Sequence, residues 1–327
     1  MLEVKGLKKI FTSGFLPRTR IKAVDDVSFH IEKGETLGIV GESGSGKSTL
    51  GQCILRLIEP TAGKIVFNGI ELTALDNKAL NNIRPCMQMI FQDPDSSLDP
   101  KMTIGQSIAE PLKLKGNNRE AVKSRVLELI RQVGLSPEHV NRFPYQLSGG
   151  QNQRAVIARA LALKPVFIVA DEPTASLDIS VQAQILNLLR HLKEKYALTM
   201  LFISHDLELI KHMCDRVAVM YRGKIVETGK IEDIFHSPLH PYTQLLLAEE
   251  ADSEVNVSEI KKTLRTTCPY YQECLLRSEI CLTKTPELKE LKNQLVACHH
   301  VLEKSTQQPY QDRYAGKTGV TSDQLVA

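Results

Sequence analysis

The sequence predicts an α/β protein whose core is a mostly parallel sheet, with a helical subdomain and a small cysteine-rich C-terminal extension. Short apolar runs at residues 36–40, 167–170 and 200–203 have the length and composition of buried strands. Glycines and a helical stretch over 47–58 follow the first run, and residues 120–133 repeat apolar side chains at helical spacing. Buried strands that alternate with helices indicate a mostly parallel sheet.

Composition divides the chain into two regions. We expect a first domain over residues 1–240, in which helices over about 96–162 form an inserted subdomain. Residues 217–227 predict a β-hairpin. The C-terminal extension, residues 241–327, contains a polar linker over 251–265 and four cysteines, and it ends in a polar segment whose composition is typical of disorder.

The bulk composition excludes several function classes. The 327 residues include 41 basic and 38 acidic side chains, and the resulting net charge of +3 is too small to favour nucleic acid as a partner. The sequence has neither an apolar run long enough to span a membrane nor the features of a signal peptide at its start. We therefore expect a cytosolic protein without disulfides, in which Cys53, Cys86 and Cys214 pack in the core.

A glycine-rich segment has the spacing of a phosphate-binding loop, G-x-x-x-x-G-K-[S/T]. Its residues are Gly41, Glu42, Ser43, Gly44, Ser45, Gly46, Lys47, Ser48 and Thr49. The glycines allow the backbone to surround a phosphate chain, and N–H groups at the following helix start point at the anion. Lys47 can reach the β- and γ-phosphates, and Ser48 can ligate Mg²⁺. The predicted strand before the loop and helix after it argue against an accidental glycine-rich turn.

Two carboxylates, Asp171 and Glu172, directly follow the second predicted strand. Asp171 is the expected second anchor for Mg²⁺, through water. Glu172 has the position of a general base that activates water beside the γ-phosphate. An isolated Asp-Glu pair is usually part of a solvated loop, but the apolar run before this pair and the upstream phosphate loop favour the catalytic interpretation.

The segment Ser148-Gly149-Gly150-Gln151 predicts a second anion site. Ser148 is a suitable N-cap, and the residues from Gln151 to Leu163 predict a helix. Two glycines at a helix start expose backbone N–H groups at the positive end of the helix dipole. Two half-sites for one phosphate in one chain suggest face-to-face pairing, in which a partner completes each half-site.

Together these motifs resemble the ATP-binding cassette of ABC transporters, over residues 1–240. Residues 41–49 match its Walker A loop, and residues 167–172 match its Walker B strand. Gln92 matches the glutamine loop that senses Mg²⁺ and the membrane partner, and residues 148–151 match the signature. Asp178 matches the loop that crosses the dimer interface, and His205 matches the switch histidine that contacts the γ-phosphate. Gln92 and His205 carry no signal in isolation, so their roles depend on this order and spacing.

The resemblance also implies an aromatic ring against adenine near the N-terminus, and Phe11 is the candidate. An insertion from Ser13 to Ile21 follows it in the sequence. The alternative that Phe11 is a core residue therefore stays open.

Two further segments, residues 87–100 and 236–243, resemble the oligopeptide, dipeptide and nickel branch of this family. That branch carries a cysteine-rich tail, and this chain has the pattern C-x5-C-x6-C-x16-C. The four cysteines are Cys268, Cys274, Cys281 and Cys298. The resemblance implies a [4Fe–4S] cluster, for which four thiolates are the expected ligands. A Cys₄ zinc site and four unligated thiols remain alternatives.

The implied function is that of an ATPase, with ATP and Mg²⁺ as cofactors, that drives an importer of peptides or peptide-like solutes at the cytoplasmic face of the cell membrane. The implied partners are two transmembrane permease subunits, a second ATPase subunit in a heterodimer, and an extracellular or periplasmic solute-binding protein. A nickel or metal-chelate importer is one alternative. An exporter, or a soluble ABC ATPase acting on DNA, ribosomes or iron–sulfur assembly, is disfavoured by the single cassette and the cysteine tail.

Overall fold

The computed structural model of the protein describes residues 1–13, 19–251 and 267–301. These residues form two compact units that divide between Ile225 and Val226. The predicted linker, except for Ala251, and the polar residues from 302 onward lie outside the described residues. The predicted domain boundary after residue 240 stays a prediction.

The described part of the first unit contains an antiparallel and a parallel sheet. Its strands are β1 (Leu2–Ser13), β2 (Thr19–Ile31), β3 (Thr36–Val40), β4 (Ala62–Phe67), β5 (Ile70–Glu71), β6 (Met87–Ile90), β7 (Phe167–Asp171), β8 (Thr199–Ile203) and β9 (Arg216–Tyr221). The order β2-β1-β4-β5 is antiparallel, and the order β9-β3-β8-β7-β6 is parallel throughout. The predicted parallel core is therefore confirmed.

Helices connect the strands of the first unit. They are α1 (Lys47–Ile54), α2 (Asn77–Ile83), α3 (Pro94–Ser97), α4 (Ile104–Leu114), α5 (Arg119–Gln132), α6 (Gly149–Ala160), α7 (Ile179–Tyr196) and α8 (Leu207–Met213). α1 ends before the predicted residue 58, because Arg56 has a positive φ of 49° and its guanidinium donates to the carbonyls of Leu72 and Leu75. α6 likewise ends earlier than the predicted Leu163.

The parallel sheet supplies the centre of the core and one functional edge. All five residues of each of β3, β7 and β8 are buried. Parallel strands end at the same edge of a sheet, and this edge is where open α/β sheets bind ligands. The phosphate loop, Glu172 and His205 follow the ends of these three strands. The fold thus gathers three motifs that are far apart in the sequence.

The predicted hairpin is present as β9 and β10 (Lys224–Lys230), joined by a turn at Arg222 and Gly223. Both turn residues have positive φ, 44° and 83°, as in the tight turns that join antiparallel strands. β10 begins in the first unit and continues into the second. None of the described helices is long and apolar enough to cross a membrane.

The second unit contains short helices and a small antiparallel sheet. Its further elements are α9 (Ile231–His236), α10 (Pro241–Ala251), α11 (Glu279–Thr283), β11 (Lys289–Leu291) and β12 (Gln294–Val296). The strand order is β11-β12-β10. The backbone N–H of Ala297 continues this pairing by donating to the carbonyl of Val226 at 2.8 Å.

Candidate functional site

The loop between β3 and α1 requires glycine at two positions. Gly41 and Gly46 have φ values of 153° and 107°, and a Cβ at either would lie 2.0 Å from a backbone oxygen, of Met220 and Ala23 respectively. A larger side chain would therefore push neighbouring strands away from the loop. The close packing therefore fixes the backbone of the loop at the start of α1, and its role as a cradle for phosphate stays a prediction.

Lys47 lies inside this loop. Its ammonium donates to the carbonyls of Gly41 at 2.6 Å and Glu42 at 2.9 Å, and the residue is buried. Burial lowers the pKa of Lys47, while the nearby charges of Glu172 and Asp171 act in the opposite direction. The cation therefore already stands where phosphate charge has to be neutralised.

Ser48 and Asp171, the residues predicted to hold Mg²⁺, are in direct contact. The Ser48 hydroxyl donates to Asp171 Oδ1 at 3.0 Å, and Asp171 is buried at the end of β7. Burial raises the pKa of Asp171, and the hydrogen bond from Ser48 and the charge of Lys47 act against this rise. A hydroxyl and a carboxylate oxygen beside a phosphate cradle fit Mg²⁺, which takes one or two protein oxygens together with phosphate and water.

Glu172 is contacted by two predicted residues from different parts of the chain. Gln92 Nε2 donates to Glu172 Oε2 at 2.9 Å, and His205 Nδ1 lies 3.3 Å from Glu172 Oε1. The backbone of Glu172 has a positive φ of 44°, and its N–H donates to Ile203 at 2.9 Å. Such strain persists where the surrounding structure fixes it, often at active sites. The structure thus brings two of the other three predicted catalytic side chains against this carboxylate.

A cleft of about 410 Å³ opens over these groups. Its lining residues are Ile21, Lys22, Ala23, Ser43, Gly44, Gly46, Lys47, Ser48, Thr49, Gln92, Glu172 and Arg222. The volume is within the range of pockets that bind small ligands. Phe11 is not among the lining residues, so its predicted contact with adenine is not established and stays a prediction.

Four lining residues were missed by the sequence analysis: Ile21, Lys22, Ala23 and Arg222. The sequence places them about 200 residues apart, in β2 and in the turn between β9 and β10. The hairpin prediction located the turn that holds Arg222. No pattern in the sequence connected that turn to the phosphate loop.

The signature segment has the predicted helix start. Ser148 caps α6: its hydroxyl accepts from the Gln151 N–H at 3.3 Å, and the Gln151 side chain accepts from the Ser148 N–H at 3.1 Å. A Cβ on Gly150 would lie 2.4 Å from Val181 Cγ1 of α7, and one on Gly149 would lie 3.4 Å from Leu177. Gly150 therefore allows α6 to pack closely against the start of α7.

Asp178 caps α7. Its carboxylate accepts from the Val181 N–H at 3.0 Å, which gives this residue a local structural role. Neither Asp178 nor residues 148–151 line the cleft of their own chain. Their predicted contacts with nucleotide stay predictions.

The four cysteines of the second unit lie near one another. Cys268, Cys274 and Cys281 are buried, and Cys298 is half-buried. Burial, together with the neighbouring thiols, raises the pKa of Cys268 and of Cys298 to about 11. The donor set fits an iron–sulfur cluster chemically. However, no group of three or more histidine, cysteine or acidic side chains in the described residues is arranged to hold a metal. The cluster is not confirmed and stays a prediction.

The other cysteines differ in their exposure. Cys53 is buried, as predicted, and burial raises the pKa of its thiol to about 11. Cys214 is half-buried, and a Cβ on Gly38 would meet its sulfur at 2.9 Å, so it packs against β3. The prediction that Cys86 lies in the core is wrong. It is exposed, because it ends a short 3₁₀ turn (Arg84–Cys86) that precedes β6.

Known proteins are similar to this chain in sequence. The family model described as ABC transporter matches residues 24–175, and the model described as oligopeptide/dipeptide transporter, C-terminal region, matches residues 226–281. The oligopeptide transport ATP-binding protein OppF of Bacillus subtilis is 51% identical over 252 residues, 76% of this chain and 81% of the relative. The corresponding protein AppF of the same organism is 44% identical over 321 residues, 91% of this chain and 97% of the relative.

A solved structure is similar to this chain in fold. An ATP-binding cassette in a dimeric post-hydrolysis state with ADP and Pi has a TM-score of 0.65 and 33% identity, over 71% of this chain and 99% of that chain. The chain therefore belongs to the ABC transporter family and is an ATPase of its ATP-binding cassette class. More narrowly, its C-terminal region is that of the oligopeptide/dipeptide transporters.

Proposed function

We propose that this ATPase energises the import of peptides or peptide-like solutes across the cell membrane. One observation carries the chemistry: the Glu172 carboxylate lies between Gln92 and His205, in a cleft that also holds the phosphate loop and Ser48. The peptide assignment is supported by the oligopeptide/dipeptide transporter region and by the names of the Bacillus relatives. A nickel-chelate importer is the alternative that the same family branch leaves open.

The hydrolytic step follows from this geometry. Lys47 and the backbone N–H groups of the loop hold the triphosphate of ATP and neutralise its charge. Ser48 and Asp171 would hold Mg²⁺, which supplies further charge neutralisation on the phosphate oxygens. Glu172 accepts a proton from water as the water oxygen bonds to the γ-phosphorus and the bond to the β-phosphate oxygen breaks. ADP and phosphate are the products, and in this proposal His205 contacts the γ-phosphate during the reaction.

The working unit in this proposal is a face-to-face dimer of cassettes, in which the signature of one closes over the nucleotide of the other. The helix start that Ser148 caps, with its exposed backbone N–H groups, supports a second anion-binding half-site for this arrangement. The second cassette is a related ATPase, giving a heterodimer. Two permease subunits and a solute-binding protein complete the importer, and the ATPase acts at the cytoplasmic face of the membrane.

Purification of the tagged full chain from detergent-solubilised membranes of its source cell tests the assembly. Two multi-spanning permeases and a second ATPase among the co-purifying chains are the expected result. A peptide-stimulated ATPase activity of that complex, with its solute-binding protein, is expected for a peptide importer. Recovery of the tagged chain with ribosomal, DNA-binding or iron–sulfur assembly proteins would contradict the transport assignment. Stimulation of the ATPase activity by a nickel chelate and not by peptides would show that the cargo is the chelate.

The cysteine cluster belongs to the same proposal, with [4Fe–4S] as the group held by Cys268, Cys274, Cys281 and Cys298. The proximity of the thiols supports it, since burial and the neighbouring thiols together raise the pKa of Cys268 and of Cys298. Anaerobic purification of the full chain followed by iron, sulfide and zinc assays is the test. About four iron and four sulfide per chain are expected. Stoichiometric zinc, or the absence of metal, would contradict the [4Fe–4S] assignment.

A further inference from the structure

The connection between α4 and α5 carries a concentration of positive charge that neither the cleft nor the cysteine cluster uses. Residues 113–123, the α4–α5 tip, contain four basic side chains and one acidic side chain. They are Lys113, Lys115, Arg119, Lys123 and Glu120, and all five are exposed. The tip therefore has a net charge of +3, equal to that of the whole chain of 327 residues, so the remaining residues are neutral on balance.

The four basic side chains of the tip form no ion pair within the part of the chain that the structure describes. The turn between the helices is held by other groups. Asn117 Nδ2 donates to the Leu112 carbonyl at 2.9 Å, and the Asn118 side chain caps α5 by accepting from the Ala121 N–H at 2.8 Å. The basic side chains are therefore not needed to fix the backbone that carries them.

Helix electrostatics explain only part of this charge. Lys113 lies in the last turn of α4 and Lys115 is its C-cap, where cations interact favourably with the negative end of the helix dipole. Arg119 is the first residue of α5, at the positive end of that helix, where a cation is unfavourable. A cation at this position is therefore explained better by an anion outside the helix than by the stability of α5 itself.

Leu114 adds an apolar side chain among the basic residues. It is 84% exposed, whereas the large apolar side chains that α4 buries are Ile104, Ile108 and Leu112. Since each helical residue turns by about 100°, Leu114 lies about 200° beyond Leu112, away from the buried face. One exposed leucine is ordinary on a protein surface, but this one stands between two exposed lysines. An apolar side chain flanked by flexible cations matches the boundary between lipid headgroups and acyl chains.

We propose that the α4–α5 tip binds the anionic lipid surface of the membrane, with its cations on lipid phosphates and Leu114 inserted among the headgroups. This contact rests on the membrane location in the proposed function, and it does not pass through the permeases. Basic side chains close to an anionic leaflet are each attracted to it. Because protein interfaces are depleted in lysine, which supplies three of the four cations, a lipid surface suits the tip better than an acidic protein. Glu110, exposed one turn before Leu114 on α4, marks where the basic surface ends.

Co-sedimentation of the full chain with lipid vesicles, in the absence of any permease, tests this contact. Binding is expected with vesicles that contain phosphatidylglycerol, should fall as salt is added, and should be weak with phosphatidylcholine alone. Lys113→Gln combined with Lys115→Gln should weaken binding roughly 30-fold, and Leu114→Ser should weaken it roughly tenfold. Lys33→Gln combined with Lys78→Gln removes the same charge from exposed lysines outside the tip and should bind like the unmodified chain. All of these variants should hydrolyse ATP at the unmodified rate.

Leu114→Trp provides a second readout, because the unmodified chain contains no tryptophan. Its emission should shift to shorter wavelength when phosphatidylglycerol vesicles are added, since the indole ring leaves water for the headgroup region. An unshifted emission from a vesicle-bound Leu114→Trp chain would contradict the proposal. Unweakened vesicle binding by the double lysine variant of the tip would contradict it as well.

Failure of the lipid contact and failure of the transport assignment give different results. If the chain does not bind vesicles and the double lysine variant of the tip loses the co-purifying permeases, the tip binds protein and the lipid contact is overturned. If vesicles bind as expected and no permease co-purifies with the unmodified chain, the lipid contact stands while the transport assignment fails.

Discussion

Gln92 Nε2 lies 2.9 Å from Glu172 Oε2, although 80 positions separate the two residues in the chain. His205 Nδ1 lies 3.3 Å from the other oxygen of the same carboxylate. Both oxygens of Glu172 therefore have a partner before any nucleotide is bound. For Glu172 to act as a base, water has to replace one of these partners. A movement of the loop that carries Gln92 would therefore decide whether one Glu172 oxygen is free to accept a proton from water.

Replacement of this carboxylate tests the base assignment. Glu172→Gln should retain ATP binding but lower the hydrolysis rate at least about 100-fold, because the amide cannot accept the proton from water. Mixed with its partner cassette, the variant should also accumulate a closed dimer with ATP, visible by size-exclusion chromatography with light scattering. Glu208→Gln, at an exposed carboxylate of α8, is the control and should hydrolyse ATP normally. Full turnover by Glu172→Gln would show that Glu172 is not the general base.

The magnesium pair predicts a specific pattern at Ser48. Ser48→Ala removes the hydroxyl that contacts Asp171, so Mg²⁺ should no longer strengthen ATP binding, while binding in EDTA should change little. Ser48→Thr retains a hydroxyl and should restore the effect of Mg²⁺. Titration of ATP with and without Mg²⁺ by calorimetry measures both. A normal magnesium effect in Ser48→Ala would place the ion elsewhere.

The contact between α6 and α7 predicts unequal effects at two adjacent glycines. Gly150→Ala should destabilise the chain by about 1–3 kcal/mol, because the new methyl group would lie 2.4 Å from Val181. Gly149→Ala meets Leu177 only at 3.4 Å and should be milder. Urea unfolding of both variants measures the difference, and adding Val181→Ala should recover part of the loss in Gly150→Ala. Equal stability of the two alanine variants would argue against tight packing here.

A buried carboxyl in the second unit predicts a dependence on pH. Burial raises the pKa of Glu227 to about 7, although its oxygens accept from the N–H groups of Leu239 at 2.6 Å and His240 at 3.0 Å. The folded state therefore binds this proton more tightly than the unfolded state. Its stabilising contribution is complete below the unfolded pKa of about 4.5 and is lost as pH rises through about 7.

Hydrogen exchange of peptides covering residues 224–243, corrected for the intrinsic rate, measures this effect. Protection should fall between pH 6 and pH 8 in the unmodified chain and change less in Glu227→Gln. Glu232→Gln, at an exposed position of α9, should behave like the unmodified chain. Identical pH dependence in all three proteins would remove Glu227 as the responsible group. His240 is buried beside it, and burial lowers its pKa to about 3, so it stays neutral throughout this range.

The sequence was sufficient for the parts of the site that depend on local pattern. The strand, loop and helix around Lys47, the helix cap at Ser148 and the strand that ends at Asp171 are each encoded within about a dozen residues. Apolar runs and glycine spacing therefore predicted them. Parallel pairing of β3, β7 and β8 then explains why Glu172 and His205 meet at one edge.

Other features depend on contacts between distant segments and left no local signal. Arg222 reaches the cleft only because its turn packs on the phosphate loop, and Gly150 is small only because Val181 lies against it. Cys86 was placed in the core because its neighbours are apolar, but a short turn directs it outward. The predicted end of α1 was also too late. The helix ends near Arg56, whose guanidinium donates to the carbonyl of Leu72, and this contact with a distant residue has no local sequence pattern.

The packing of Gly150 against Val181 has a consequence for how two such subunits would communicate. In each chain, the segment proposed to hold the partner's nucleotide rests directly on the helix capped by Asp178, at the proposed interface. The start of α6 and the start of α7 are closely packed, so a shift of one would displace the other. Occupancy of one nucleotide site would then change affinity at the other by a factor that is the same in both directions. In such a dimer, ATP binding at one site would therefore influence ATP binding at the other, and neither site would bind independently.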